Sequence, residues 1–359
     1  PGLVNAHVHL ELSDLSAADL APDGPPASLA DWLLKVIGAG PPPSQEGEAR
    51  AAAATRAGID QCLRFGVTTV GDVTRFPGVT RRALADSPLR AVSFGEVTAM
   101  AGRRHLLDDR VAAAMATSPA PARVVAALGP HAPYSVEPTG YRRCVAAARA
   151  ARLPVMTHLA ESADETAFLA DHAGPFRKLW DAIGGWDDAV PRIEGGPVRL
   201  AALTGLLDYE RALLVHANHL EDVDVRRLAR GAAAVAFCPR THAYFGHPPH
   251  PWRRLLGAGV TVAVGTDSAA SSPDLNLLDD LRLLRRQNPD LPAEELWRLA
   301  TVGAASALSL AETVGSLWPG KAADFVAFPV DGEEDPFAEV LDDREATPTG
   351  VWIAGERVR

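Results

Sequence analysis

The sequence predicts an α/β fold in which eight parallel strands and their helices close into a (β/α)8 barrel, known as a TIM barrel. First, short β-branched, apolar runs alternate along the chain with Ala-, Leu- and Arg-rich stretches of helical period. Second, these runs are apolar throughout, which is typical of parallel strands that are buried on both faces. Third, eight such units occur, the number that closes a barrel. A doubly wound open sheet is disfavoured because no GxGxxG motif opens a helix after the first strand.

The individual elements follow from these patterns in chain order. The predicted strands cover residues 2–6, 67–71, 90–94, 124–128, 154–157, 213–215, 234–237 and 261–264. The predicted helices cover residues 46–65, 80–85, 106–116, 138–151, 163–183 with 198–206, 222–229, 251–256 and 275–286. Stretches rich in Pro and Gly are expected to form excursions on the surface, at residues 21–26, 38–43 and 184–197.

Composition narrows the class of protein. The 359 residues suit one large barrel domain with additions, because α/β barrels often reach about 250 residues. The net charge of −10 argues against a nucleic-acid or anionic-membrane partner, and no apolar run approaches the roughly 20 residues that span a bilayer. The 3 cysteines, Cys62, Cys144 and Cys238, are far apart and odd in number, so we expect no disulfide framework and a cytoplasmic location.

Metal-binding residue types stand at the ends of four predicted strands. His7 and His9 end the first strand, and their i, i+2 spacing places both imidazoles on one face. His158 ends the fifth strand, His216 the sixth and Asp267 the eighth. Singly, each has a structural interpretation, such as a histidine at the barrel mouth or a turn carboxylate. Together, at the catalytic end of one barrel, they predict a site for zinc or a similar divalent ion.

Four segments that carry these residues, PGLVNAHVHLE, THLAES, LLVHANHL and GTDSAASS, resemble the amidohydrolase superfamily and its single-metal deaminase branch. The resemblance implies a metal-dependent hydrolase barrel over residues 1–316 and the C-terminal strands of a partial β-sandwich over residues 317–359. Because such enzymes pair these strands with N-terminal ones, we expect the chain to be a trimmed version of a longer protein. The fourth strand end reads GPHAPYS and lacks the bridging Lys of two-metal members, which favours one metal.

The resemblance also assigns roles within the predicted site. His7, His9, His158 and Asp267 would hold one divalent metal, Zn²⁺ with Fe²⁺ as the alternative. Glu161 would be the acid/base that carries a proton from water to a ring nitrogen, whereas its structural interpretation is a carboxylate at a helix N-terminus. His216 would orient the attacking water, and Asp267 would also pass a proton to the departing ammonia.

The substrate prediction rests on further segments. NAHVHLE, LADWL and CPRTHAYFGHPPHP look most similar to aminodeoxyfutalosine deaminases, which act in the futalosine route to menaquinone. The resemblance places His131 at the sugar, although a structural histidine is an equal reading. Arg240, Arg75 and Arg103 are the candidates for binding a substrate carboxylate as a bidentate fork, and of these only Arg240 lies in one of the motifs. His242 and His247 are expected to contact substrate, and His250 is expected in an exposed loop.

Competing functions remain open at this point. The same motifs fit a deaminase of adenosine, methylthioadenosine or S-adenosylhomocysteine, and also a hydrolase of triazine-type heterocycles. A catalytically silent scaffold of this fold is disfavoured by the intact set of polar strand-end residues. The expected partner is a small aminopurine nucleoside, and a homo-oligomer is expected only by analogy, since the sequence carries no interface signature.

Overall fold

The computed structural model describes residues 1–117, 122–332 and 335–359. Eight strands form one sheet in the order β1 to β8, and every neighbouring pair is parallel. These strands are β1 (Leu3–Val8), β2 (Val67–Thr74), β3 (Arg90–Val97), β4 (Val124–Pro130), β5 (Val155–Leu159), β6 (Ala212–His216), β7 (Ala234–Phe237) and β8 (Val262–Val264). The prediction of a (β/α)8 barrel is therefore confirmed. Residues 118–121 and 333–334, which the predicted domains include, lie outside the described residues.

The barrel closes between its first and last strands. The backbone N–H groups of Thr266 and Asp267 both donate to the carbonyl of His7 at 3.1 Å. The side chain of Asn5 spans the same seam, because it accepts from the Thr266 N–H and donates to the Thr266 hydroxyl. Residue positions that are about 260 apart in sequence are thus joined at the catalytic end of the barrel.

Helices surround the strands and extend over the barrel mouth. They are α1 (Ala17–Leu20), α2 (Leu29–Ala39), α3 (Gln45–Arg64), α4 (Pro77–Ala85), α5 (Leu107–Met115), α6 (Pro138–Ala151), α7 (Asp164–Asp171), α8 (Pro175–Ile183), α9 (Gly196–Leu203), α10 (Asp222–Arg230), α11 (Pro239–Tyr244), α12 (Trp252–Gly257), α13 (Leu277–Gln287), α14 (Ala293–Leu299), α15 (Val302–Ala307) and α16 (Pro336–Asp342). None of the helices in the described ranges is long and apolar enough to cross a membrane.

Two helical predictions need correction. The single helix expected over residues 163–183 is two helices, α7 and α8. The chain breaks at His172, which has a φ of +55°, and restarts at Pro175, because proline cannot continue the preceding helix. The second correction is α2, which lies between two stretches that were expected to be surface excursions and buries Leu29, Ala30 and Trp32.

Three apolar clusters hold these elements together. One fills the barrel interior, and it includes Val4, Phe94 and Met156. A second lies between the strands and the surrounding helices. The third joins α2 and α8 to the loop after β4 through Trp32, Phe176 and other aromatic side chains. Strands buried on both faces explain why their sequences are apolar without alternation.

The C-terminal segment is packed on the barrel. Its strands β9 (Phe325–Ala327), β10 (Gly350–Ile353) and β11 (Glu356–Arg357) form an antiparallel sheet. Asp324 connects this sheet to the barrel, because it pairs with Arg90 at 2.5 Å and accepts the N–H of Ala354 at 2.8 Å. The division of the chain at residue 316 remains our proposal.

Replacing Asp324 by Asn is expected to lower the free energy of unfolding by about 2 kcal/mol, because a mostly buried Arg90 would lose its charged partner. The Asn side chain can still accept the Ala354 N–H. Asp14→Asn is the matched control, since the Arg50–Asp14 pair has the same 2.5 Å separation but is about one-third exposed on each side. Chemical denaturation should show a loss of under about 1 kcal/mol for the control. Equal losses in the two variants would contradict the proposed anchoring role.

Candidate active site

The predicted metal-binding side chains converge at the carboxyl end of the barrel. His7 lies in β1, His9 just beyond it, His158 in β5, His216 at the end of β6 and Asp267 after β8. All five are buried or nearly so. The structure therefore brings together residues that lie far apart in the sequence.

The spacing of the donor atoms matches a coordination shell. The Nε2 atoms of His9 and His158 are 3.3 Å apart, and Asp267 Oδ1 lies 3.5 Å from His7 Nε2 and 3.6 Å from His9 Nε2. Four donors placed tetrahedrally at zinc distances would be separated by about 3.3–3.4 Å. His216 belongs to the same group of donors, since a nitrogen of His216 lies within 4.8 Å of donors on His7 and Asp267.

The histidines present unprotonated nitrogens to this space. His158 Nδ1 donates to the carbonyl of His131 at 2.9 Å, which fixes the ring and leaves Nε2 as an acceptor. His7 Nε2 is buried and has no hydrogen-bond partner among the described residues. Burial lowers the pKa of His7 and His9 well below the usual value, and it lowers the pKa of His158 to about 4. Neutral imidazoles and an orphaned nitrogen fit a bound cation.

Strained backbone marks the same strand ends. Ala160, His216, Ala217 and Asp267 all have φ values between +50° and +74°, in the region that favours glycine. Such conformations are costly for residues with a Cβ and concentrate at functional sites. Here they turn the chain sharply at the points where it delivers Glu161, His216 and Asp267.

Glu161 stands beside this donor set. Its Oε1 lies 3.3 Å from His216 Nε2, and its Oε2 accepts the phenol O–H of Tyr134 at 3.2 Å. Burial, together with the negative charges of Asp267 and Glu165, raises the pKa of Glu161 well above the usual value. A carboxyl group with a raised pKa is suited to hold and release a proton near neutral pH.

Hydrogen bonds with Glu165 and Asn218 fix the loop that carries Glu161. The carboxylate of Glu165 accepts the backbone N–H groups of Ala160, Glu161 and Ser162 at 2.6–3.2 Å. Asn218 donates from its side-chain amide to the Glu161 carbonyl at 3.0 Å. Sequence reasoning missed both residues, although Asn218 lies inside the quoted motif LLVHANHL and Glu165 lies three residues after the motif THLAES.

Two further contacts concern residues near the metal-binding group. Ser271, which the sequence reasoning also missed, donates its hydroxyl to Asp267 Oδ2 at 3.2 Å. The His131 ring centroid lies 5.0 Å from that of His158, and its Nδ1 is 2.7 Å from the Ser135 hydroxyl. His131 is therefore next to the site, and its contact with a sugar remains a proposal.

Arg240 is paired with carboxylates of the protein itself. Its Nε donates to Asp280 Oδ2 at 3.0 Å and its Nη1 to Asp274 Oδ1 at 2.7 Å, while Nη2 donates to the Asp274 carbonyl. Its guanidinium thus already binds two carboxylates, one of them fully buried. These pairings count against the expectation that Arg240 binds a substrate carboxylate, which stays a prediction.

The segment after β7 and the loop after β6 together form a histidine cluster, which we define as His219, His242, His247 and His250. His242 Nε2 contacts the Pro248 carbonyl at 2.9 Å, and His247 Nδ1 lies 3.1 Å from His219 Nε2. Substrate contacts of His242 and His247 remain proposals. His250 lies, as expected, in a surface loop, after the exposed Pro248 and Pro249, but its own ring is partly buried. The ring stacks on Phe237 at 3.8 Å, and its Nε2 donates to the His216 carbonyl at 2.7 Å.

Known proteins resemble this chain in sequence over most of its length. The amidohydrolase family model matches residues 1–358. The 5-methylthioadenosine/S-adenosylhomocysteine deaminase of Desulforudis audaxviator is 29% identical over 342 residues, which are 92% of this chain and 72% of that protein. The aminodeoxyfutalosine deaminase of Deinococcus radiodurans is 29% identical over 324 residues, which are 84% of this chain and 71% of that protein.

Solved structures of two deaminases have the same fold as this chain. An adenosine deaminase from Xanthomonas campestris with bound zinc superposes with a TM-score of 0.76 and 26% identity, over 99% of this chain and 79% of that one. The Helicobacter pylori aminofutalosine deaminase in complex with methylthio-coformycin has a TM-score of 0.83 over 100% of this chain and 86% of that one. At 24% identity, this second likeness concerns the fold alone. The chain belongs to the amidohydrolase family of metal-dependent hydrolases.

Proposed function

We propose that this enzyme is a single-metal hydrolytic deaminase of adenine-type nucleosides. The observation that carries the proposal is the placement of the Glu161 carboxylate 3.3 Å from His216 Nε2, beside a four-donor set with the spacing of a coordination shell. Relatives from two deaminase groups, each 29% identical to this chain, support the same reaction class. Zinc is the proposed metal, and a cytoplasmic location remains a prediction.

The proposed metal ligands are His7, His9, His158 and Asp267. A divalent ion bound there supplies Lewis-acid activation of water, which lowers the pKa of that water towards about 7. The chain contributes neutral imidazoles, one carboxylate and a dry, buried setting in which charge interactions are strong. The hydroxyl of Ser271 fixes the second oxygen of Asp267.

The proton transfers fall to two carboxyl groups. Glu161 would take a proton from the attacking water and give it to a ring nitrogen of the purine, while His216 orients that water. Carbon 6 would then carry both the new oxygen and the amino group. Asp267 would pass a proton to the amino nitrogen, so that ammonia leaves and a carbonyl remains. Over the whole reaction, one water molecule is added and one ammonia molecule is released.

The identity of the substrate has two candidates. The Deinococcus relative favours 6-amino-6-deoxyfutalosine, which was our prediction from the sequence. The Desulforudis relative favours methylthioadenosine or S-adenosylhomocysteine. The pairing of Arg240 with Asp274 and Asp280 weakens the support that this residue gave to the carboxylate-bearing futalosine compound, and it leaves Arg75 and Arg103 as the other candidate cations. Both candidates share the adenine nucleoside, on which the proposed function rests.

Glu161→Gln is expected to retain the metal and to lose nearly all turnover, because the amide cannot shuttle a proton; we expect kcat to fall by at least about 100-fold. His158→Ala is expected to lose both metal and turnover. Metal content by mass spectrometry and ammonia release measure the two effects separately. A Glu161→Gln enzyme with near-normal kcat would remove Glu161 from the mechanism.

A panel of 6-amino-6-deoxyfutalosine, methylthioadenosine, S-adenosylhomocysteine and adenosine is expected to show ammonia release from at least one compound. The matching 6-oxo nucleosides serve as controls that release none. Atrazine tests the triazine-hydrolase alternative in a separate assay for chloride or alkylamine, since its hydrolysis releases no ammonia. No turnover of any 6-aminopurine by the metal-loaded enzyme would refute the proposed function.

Arg240→Leu is expected to lower thermal stability, because Asp280 is fully buried and would lose its charged partner. The same variant should leave the ratio of kcat/KM between 6-amino-6-deoxyfutalosine and methylthioadenosine unchanged. Circular dichroism melting and the ammonia assay test the two statements. A selective rise in KM for the futalosine compound would restore Arg240 as a carboxylate-binding residue.

A further inference from the structure

A tyrosine outside the predicted site touches the proposed acid/base. Tyr134 lies in the loop between β4 and α6, and its phenol donates to Glu161 Oε2 at 3.2 Å. Both side chains are buried, at 2% and 6% exposure. The contact is therefore shielded from competing water.

The two oxygens of Glu161 have different neighbours. Oε2 is bound by the Tyr134 phenol, whereas Oε1 lies 3.3 Å from His216 Nε2 on the side of the donor set. A glutamate side chain has three rotatable bonds, so its carboxylate needs such contacts to keep one orientation. A proton carrier must present the same oxygen in each turnover.

Tyr134 is itself rigidly held. Its ring stacks on Phe176 with the centroids 4.1 Å apart and the planes 8° from parallel. The indole N–H of Trp180 donates to the Tyr134 carbonyl at 2.8 Å. Both partners belong to α8, a helix of the aromatic cluster that extends over the barrel mouth. The phenol thus has little freedom to follow a displaced carboxylate.

The Tyr134 phenol keeps its proton in this setting and is available as a hydrogen-bond donor. Burial raises the pKa of Tyr134 well above the usual value, and the negative charge of nearby Glu161 adds to the effect. The hydroxyl therefore stays protonated at neutral pH and donates a hydrogen bond to Glu161 Oε2.

We propose that Tyr134 is a positioning residue that holds Glu161 Oε2 so that Oε1 faces His216 and the reacting water. The role rests on the proposed function of Glu161, and Tyr134 itself touches no reacting atom. It connects the aromatic cluster around α8 to the orientation of the acid/base.

Tyr134→Phe tests the proposal, because it removes only the hydroxyl and keeps the stacked ring. In the metal-loaded enzyme we expect kcat to fall about 10- to 100-fold, with KM and metal content unchanged. Tyr209→Phe is the matched control. Tyr209 is equally buried at 2% and its hydroxyl donates to the Leu153 carbonyl at 2.7 Å, but it precedes β6 and lies at the opposite end of the barrel.

A double-mutant cycle separates positioning from general destabilisation. If Tyr134 acts through Glu161, adding Tyr134→Phe to Glu161→Gln should cost no further activity. Additive losses, an unchanged kcat in Tyr134→Phe, or equal kcat losses in Tyr134→Phe and Tyr209→Phe would each overturn the proposal. If Tyr134→Phe fails to fold, Phe176→Leu, which loosens the ring and keeps the hydroxyl, should lower kcat at constant KM, and an unchanged kcat would refute the role.

A crystallographic readout does not depend on activity. In metal-loaded Tyr134→Phe crystals, Glu161 should leave the 3.3 Å contact with His216 or occupy more than one rotamer. An unmoved Glu161 would overturn the positioning role. Absence of ammonia release from wild-type enzyme would instead refute the deaminase function, and the crystallographic comparison would still decide whether Tyr134 orients the carboxylate.

Discussion

The seam between the first and last strands is the constraint on which the whole site depends. The His7 carbonyl accepts the N–H groups of both Thr266 and Asp267, and Asn5 bridges to Thr266 from the same strand. These bonds bring the His-x-His pair of β1 against the carboxylate that follows β8. Without barrel closure, no contact would hold the donor atoms of His7 and Asp267 at a distance of 3.5 Å.

Burial determines which protonation states the histidines and Glu161 favour in this site. The interior lowers the pKa of the histidines and raises that of Glu161, so the site favours neutral forms in the absence of a cation. A divalent ion bound there would pair its positive charge with the Asp267 carboxylate and would accept electron pairs from the neutral imidazole nitrogens. The neutral histidines and the orphaned His7 nitrogen thus have one common explanation in a site built for a metal ion.

Layers around the donors orient them. The His131 carbonyl sets the ring of His158, Ser271 holds Asp267, and Glu165 fixes the loop of Glu161. The aromatic cluster adds Tyr134 from outside the barrel. Arg240 belongs to such a supporting layer too, because it joins α11 to the buried Asp280 of α13. The guanidinium of Arg240 therefore stabilises the packing of α11 against α13.

The sequence by itself determined the barrel and the residues at its strand ends, because apolar runs of strand length and i, i+2 histidines are local patterns. It did not determine the break before Pro175, the helix α2, or the partners of Arg240 and His250. Those outcomes depend on contacts between distant segments, such as Arg240 with Asp280 and His250 with His216. Only the tertiary structure decided them, since one sequence carries no record of which side chains meet once the strands have closed.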